Sequence, residues 1–214
     1  MNTLSGQKQR PAPPRQRMSG EERKAQIVRV ATDLFAREGF KGATTREIAR
    51  KAGISEAVIY KHFSRKEDLY KAIIDSRCSN PGGEPRLLSM LKGKEGKDVF
   101  VIIASFLLEE HRRDSSFLRL LMYSALEQQS LSELFINTRG LEFLGFLESH
   151  IQSLIKKGGM RKVDPALAAR AFIGMVEHYS IAQELYGAKS FFSRPERKVV
   201  ETFVDIFLNG MKRR

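Results

Sequence analysis

Apolar residues recur at three- and four-residue spacing along most of the chain, and no stretch alternates with period two for long enough to make a strand. The pattern predicts an all-α protein. Ile27, Ala31, Leu34 and Phe35 form one stripe on a helix over residues 21–38, and Gly39 stops it. Residues 44–63, TTREIARKAGISEAVIYKHF, predict two short helices joined by a tight turn. Thr44 and Glu47 make a capping box, and Ile48, Ala49 and Ala52 then face one side. Gly53 ends that helix, where positive φ is wanted. Ser55 is expected to cap the second helix, whose inner side is Val58, Ile59 and Phe63. Small Ala49 lets the two helices cross closely, and a glycine in the short turn between them is the helix-turn-helix pattern. Residues 55–61 read as the recognition helix.

A second capping box, Ser64 with Glu67, opens a helix to about residue 75 or 77 carrying Leu69, Tyr70, Ile73 and Ile74. The breaker cluster NPGGEP at 80–85 marks the domain boundary. The chain therefore divides into an N-terminal arm (1–20), a helix-turn-helix domain (21–80) and a C-terminal helical domain (81–214). In the last of these, residues 99–108 are apolar on all sides, as in a helix buried in a bundle. Asp114-Ser115 caps the next helix. Ser130 with Glu133 opens a long helical stretch to residue 157, with Leu141, Leu144, Leu147, Ile151, Leu154 and Ile155 as its stripe. Asp164-Pro165 starts a helix with Ala168, Phe172, Met175, Tyr179 and Ala182 on one side. Ser193 and Glu196 open the last, with Val200, Phe203, Val204, Phe207 and Met211. These last two stripes either face the subunit's own core or form a four-helix interface between two copies. Dimerisation through them is the expectation.

Residues 21 to about 80 resemble the DNA-binding domain of the TetR family of bacterial transcriptional regulators. The resemblance rests on Ala31, Leu34, Phe35, Gly39 and Phe40, then Thr44-Thr45, Ile48-Ala49 and Ala52-Gly53-Ile54-Ser55, then Ile59-Tyr60, His62-Phe63, Lys66 and Leu69. It covers somewhat more than a quarter of the chain. It implies a palindromic double-stranded operator and a helical C-terminal domain that dimerises and binds a small-molecule inducer, most simply as a repressor. It also implies that the positions of Tyr60, His62 and Lys66 meet the DNA backbone.

Charge agrees with an anionic partner. Lys and Arg number 37 against 25 Asp and Glu, a net +12. Residues 1–80 hold 17 against 9, and residues 81–214 hold 20 against 16, so the excess leans toward the motif. The arm carries Lys8, Arg10, Arg15 and Arg17 with three prolines; it reads as a solubilising tail or as a basic arm following phosphates. One cysteine, Cys78, allows no intrachain disulfide, and no apolar run approaches the ~20 residues of a membrane span. A cytoplasmic protein without membrane attachment is expected. No nucleophile elbow, P-loop or zinc-spaced cluster appears, so neither an enzyme nor a cofactor or metal is predicted. The rival to a specific regulator is a sequence-blind basic protein.

Ser55, Glu56, Ala57 and Arg46 are the candidate base readers: Glu56 toward a cytosine amino group, Ala57 toward a thymine methyl. Glu56 has an alternative, pairing with a nearby lysine or arginine. Thr44, Thr45, Tyr60, Lys61, His62 and Lys66 are the candidate phosphate clamps. Tyr60 packed in the core and His62 as a structural hydrogen-bonder are the bland alternatives. For a ligand, Phe106, Met122, Tyr123, Phe143, Phe146, His178 and Tyr179 have the composition of an apolar pocket with a few polar groups, and equally that of a plain core.

Overall fold

The computed structural model describes residues 18–79, 85–126 and 130–212. The N-terminal arm up to residue 17 and most of the breaker cluster, 80–84, lie outside them. Among the described residues the chain runs through α1 Gly20–Gly42, α2 Thr45–Ala52, α3 Glu56–His62, α4 Lys66–Cys78, α5 Arg86–Leu91 and α6 Lys97–Arg113. It continues through α7 Ser116–Leu126, α8 Ser130–Phe135, α9 Leu141–Lys156, α10 Pro165–Glu184 and α11 Glu196–Gly210. A π-helical turn, Ile136–Gly140, joins α8 to α9.

The N-terminal helices take their ends from the capping chemistry of their sequence. Ser19 and Glu22 cap α1 reciprocally. The helix breaks at Gly39, φ 70°, and one further turn carries Phe40 onto Tyr70, ring centroids 4.4 Å apart. Thr44 and Glu47 cap α2 as expected, and Gly53 ends it in the left-handed region. Ser55 stands at the N-cap of α3, but its side chain makes no capping bond. The box predicted at Ser64 moves by one residue: Arg65 is the N-cap of α4, and its N–H donates to Asp68 at 2.9 Å. Asp68 takes this place because α4 begins at Lys66, which makes Asp68 and not Glu67 the third helical residue.

Two apolar cores result. The first joins Ile27, Leu34, Phe35, Ile48, Ile59, Leu69 and Ile73, and it also takes in Leu120 of α7. The N-terminal helices are therefore seated on α7 through α1. The second core gathers Phe100 and Ile103 of α6, Leu147 and Ile151 of α9, Phe172 and Val176 of α10, and Val200, Val204 and Phe207 of α11. Phe100, Phe172 and Phe207 meet with centroids 5.1–5.2 Å apart.

That packing corrects the dimer surface read from the stripes. Ala168, Phe172, Val200, Val204, Phe207 and Met211 are buried within one subunit. A helix has one broad apolar face, and here it is spent on α6 and α9. α5, with Leu87 and Leu91 buried, follows the breaker cluster, where no helix was expected. Two further expectations change. Leu141 of the α9 stripe is 50% exposed, because the π turn resets the helical phase before it. Pro195, not Ser193, precedes the first residue of α11. The Ser130 side chain needed for the box with Glu133 lies outside the described atoms.

Candidate nucleic-acid interface

Ile48, Ala49 and Ala52 of α2 and Ile59 of α3 are buried against α1, which turns the opposite sides of both short helices to solvent. α1 also closes the C-terminal end of α2: Gln26 Nε2 donates to the Ala52 carbonyl at 3.1 Å, and Lys51 lies 3.7 Å from Glu38. The turned-out surface holds Thr44, Arg46, Ser55, Ala57, Tyr60 and Lys61, all exposed. Tyr60 is 50% exposed, so its ring is not part of the core. Thr45 and His62 are half-buried.

Two predicted contacts are already engaged within the protein. Glu56 accepts a hydrogen bond from the Thr45 hydroxyl, and that hydroxyl lies 3.3 Å from the Tyr60 hydroxyl. Glu56 therefore ties α3 to the first turn of α2 through a threonine, where a lysine or arginine was the expected alternative. Lys66 donates from Nζ to the Phe40 carbonyl, and its ammonium stands 3.9 Å from the Phe40 ring centroid. It caps a carbonyl in the last turn of α1. The reason is positional: the break at Gly39 swings the Phe40 carbonyl over the start of α4.

A second feature lies behind the reading surface. A cavity of about 310 Å³, partly open to solvent, is bounded by the C-terminal end of α4, α5, α6, α7, the π turn, α9 and α10. Its walls are mostly apolar and include Phe106, Leu118, Leu121 and Phe143. Of the seven residues proposed for a ligand, Phe106 and Phe143 line it. Met122 and Tyr123 follow Leu121 on the other side of α7, and Phe146 borders a separate hollow beside the loop at 92–96. His178 is exposed on α10. Tyr179 packs on Phe203 and Phe192. Residues that the composition argument missed supply the polar groups: Arg77, Arg86, Glu110, His111, Arg139 and Glu177.

Their electrostatics follow from burial. Burial lifts the Glu177 carboxyl above its ordinary range, against the pull of His111, whose Nδ1 is 3.8 Å away. Burial likewise pushes the Cys78 thiol up to about 11, over the opposing pull of Arg139 and Arg86. Such a thiol is un-ionised near neutrality and is a poor redox switch. Burial also raises the Asp114 carboxyl, but hydrogen bonds from the Ser116 backbone and Arg77 outweigh it and hold the group below its ordinary value. Arg77 reaches Asp114 from α4, and Arg139 reaches Ser79 at 2.9 Å, so the cavity shares its wall with the reading domain.

Among the described residues no helix is long and apolar enough to cross a membrane, and no group of three or more His, Cys, Asp or Glu is placed to hold a metal ion.

Comparison with known proteins agrees with this arrangement. Residues 27–73 match the model of bacterial regulatory proteins of the tetR family, and residues 105–210 match that of the C-terminal domain of AefR-like transcriptional repressors. The chain is 26% identical over 195 residues to the HTH-type transcriptional regulator YvkB of Bacillus subtilis (strain 168), covering 86% of this chain and 95% of that one. Among solved structures it is similar in fold to AibR in complex with isovaleryl coenzyme A and operator DNA, with TM-score 0.68, 23% identity, 86% of this chain and 97% of that one. It is similar also to the fatty acid degradation regulator FadR from Bacillus halodurans, with TM-score 0.69, 21% identity, 90% of this chain and 97% of that one.

Proposed function

Since the chain belongs to the TetR family of bacterial transcriptional regulators, we propose that it is a repressor that binds a palindromic operator as a homodimer and is released by an apolar or amphipathic small molecule. The observation carrying this reading is the outward polar surface of α2 and α3, held rigid by Ile48, Ala49 and Ile59 behind it. Tyr60, Lys61 and Thr44 are the phosphate contacts, and Ala57, Ser55 and Arg46 approach base edges. Glu56 orients Thr45 and Tyr60 rather than reading a cytosine. Lys66 supports the start of α4, and His62 stands at its edge.

One subunit reaches few base pairs, so two reading heads about 34–36 Å apart are needed for two successive turns of a duplex. The outer faces of α10 and α11 support the pairing. Leu167, Ala171, Gly174 and His178 follow one another on the exposed side of α10, and Ile206 stands on that of α11. Leu167 is 66% and Ile206 57% exposed. Small and apolar residues at helical spacing let a second copy of α10 approach closely.

The effector site is the cavity beside α4. AibR was solved with isovaleryl coenzyme A, which favours an acyl-type effector here. A ligand acts only by its different affinity for the two states of the protein. Arg77, Cys78 and the Arg139–Ser79 bond put α4 in contact with whatever fills the cavity, so its filling acts on the helix that packs against α1, on which α2 also rests.

Selection of bound sequences from a random DNA pool tests the reading. It should return one two-fold symmetric site with half-sites about a helical turn apart. A pool that yields no shared site would point to the sequence-blind binder.

A further inference from the structure

We infer that the cavity beside α4 takes an apolar molecule bearing a hydrogen-bond-accepting oxygen, a carbonyl or carboxylate, which Arg86 and Arg139 hold, and that it discriminates against an apolar cation. The inference rests on the reading of this cavity as the effector site and specifies its chemistry.

Arg86 and Arg139 are pinned from outside by their terminal nitrogens. Arg86 Nη2 donates at 2.6 Å both to Glu110 and to the Arg77 carbonyl. Arg139 Nη2 donates to Ser79 at 2.9 Å and to Asp75 at 3.4 Å, and its Nη1 lies 3.5 Å from Glu142. In each residue Nε is buried and has no acceptor among the described residues. An arginine Nε can only donate, and a buried donor left unmet carries its full desolvation cost. His111 Nδ1 is buried without a partner as well, since Glu177 at 3.8 Å is beyond hydrogen-bond range. All three nitrogens belong to residues lining the same cavity.

The unmet donors, rather than the net charge, decide between the two ligand classes. Arg77 is matched by Asp114, Arg86 by Glu110, and Arg139 by Glu142 and Asp75. Glu177 remains, opposite His111. An apolar cation would find that one carboxylate and would leave both Nε donors behind it unmet. An acceptor oxygen meets donors that are present in excess. The rest of the molecule would lie on Phe106, Leu118, Leu121 and Phe143. The Arg86 guanidinium carbon is 5.6 Å from the Phe106 ring centroid, so an oxygen at Arg86 sits at the edge of the apolar wall. At about 310 Å³ the space is at the lower end of ligand pockets, enough for one acyl chain or small ring system. The π turn brings Arg139 here. Such turns are frequent at functional sites, and this one places Ile136, Arg139 and Gly140 on the cavity while Leu141 stays exposed.

The test titrates the full chain, free of DNA, with decanoate, methyl decanoate and decylamine, reading calorimetric affinity and the shift of the unfolding midpoint. Decanoate, methyl decanoate or both should bind more tightly than decylamine. Binding of decanoate alone identifies a free acid, and binding of the ester identifies a neutral carbonyl. Decylamine binding as tightly as either, or no binding by any probe, overturns the inference. Arg86→Lys and Arg139→Lys keep the charge and remove Nε, so each should weaken the acceptor probes by about tenfold, with the unliganded midpoint reporting that the variant is folded. Unchanged affinity in both folded variants also overturns it. Because DNA is absent, a chain that holds the acceptor probes but selects no operator keeps this inference and loses the regulator reading. One that selects an operator but prefers decylamine does the reverse.

Discussion

Glu56 at the start of α3 receives the hydroxyl of Thr45 in the first turn of α2, and so joins the two helices across the turn at Gly53. The threonine meets the carboxylate's need for a donor inside the protein but leaves its negative charge, which repels the phosphates of a groove beside it. Glu56→Gln should therefore leave the preferred DNA sequence unchanged and tighten binding to all sequences alike. Selection from a random pool and titration against specific and random duplexes check both halves. A new base preference at one position of each half-site would instead mark Glu56 as a base reader.

Lys61 is exposed at the end of α3. As a phosphate contact, its replacement by alanine should weaken every sequence equally and reduce the slope of log affinity against log salt by about 1 per subunit. Ala57→Lys should behave differently, changing which sequence is selected while leaving non-specific affinity the same or higher.

Lys66 closes the Phe40 carbonyl and stands over the Phe40 ring. Lys66→Ala should lower stability by about 1–2 kcal/mol, from the lost cap and cation–π contact. Thermal unfolding measures it. The salt slope of DNA binding should not change, because the ammonium is committed within the protein.

Leu167→Glu and Ile206→Glu place charge on the outer faces of α10 and α11 without touching the subunit core. Each should turn a dimer into folded monomers in sedimentation equilibrium, with helical content unchanged. Operator affinity should fall far more than affinity for random DNA, because paired reading heads are lost. A monomeric wild-type chain would remove this surface from the scheme.

The Arg77–Asp114 bridge links α4 to the corner between α6 and α7. The Asp114 carboxyl lies below its ordinary value of 3.8 when folded. Its stabilising contribution is therefore complete above that ordinary value and is lost as pH falls through the lower, folded one. Thermal midpoints of the wild type and Asp114→Asn should run parallel at neutral and mildly acidic pH and converge below about pH 4.

The capping residues and the apolar periods made much of this molecule legible before any coordinates. Thr44 with Glu47, Gly53 at positive φ and Asp164-Pro165 act within four or five residues, and interactions of that reach are written in the local order of the chain. The cavity left a fainter trace. His111 follows Leu107 by four residues, Glu177 follows Ile173 by four, and Arg139 lies midway between Phe135 and Phe143. Each is a charge set into an apolar row. Composition alone pointed instead to Met122, Tyr123, Phe146, His178 and Tyr179, which the phases of α7, α9 and α10 turn away from the cavity.

The ends of α2 and the helix-turn-helix motif were therefore written in residue order, since capping, left-handed glycine and amphipathic spacing operate over a single turn or two. Which face of α10 and α11 went to the core, which carbonyl captured Lys66 and which hydroxyl captured Glu56 depended on partners 11 to 26 residues away or more. Such choices belong to packing, where one apolar stripe can be buried only once and a charged side chain takes the nearest group that closes its hydrogen bonds.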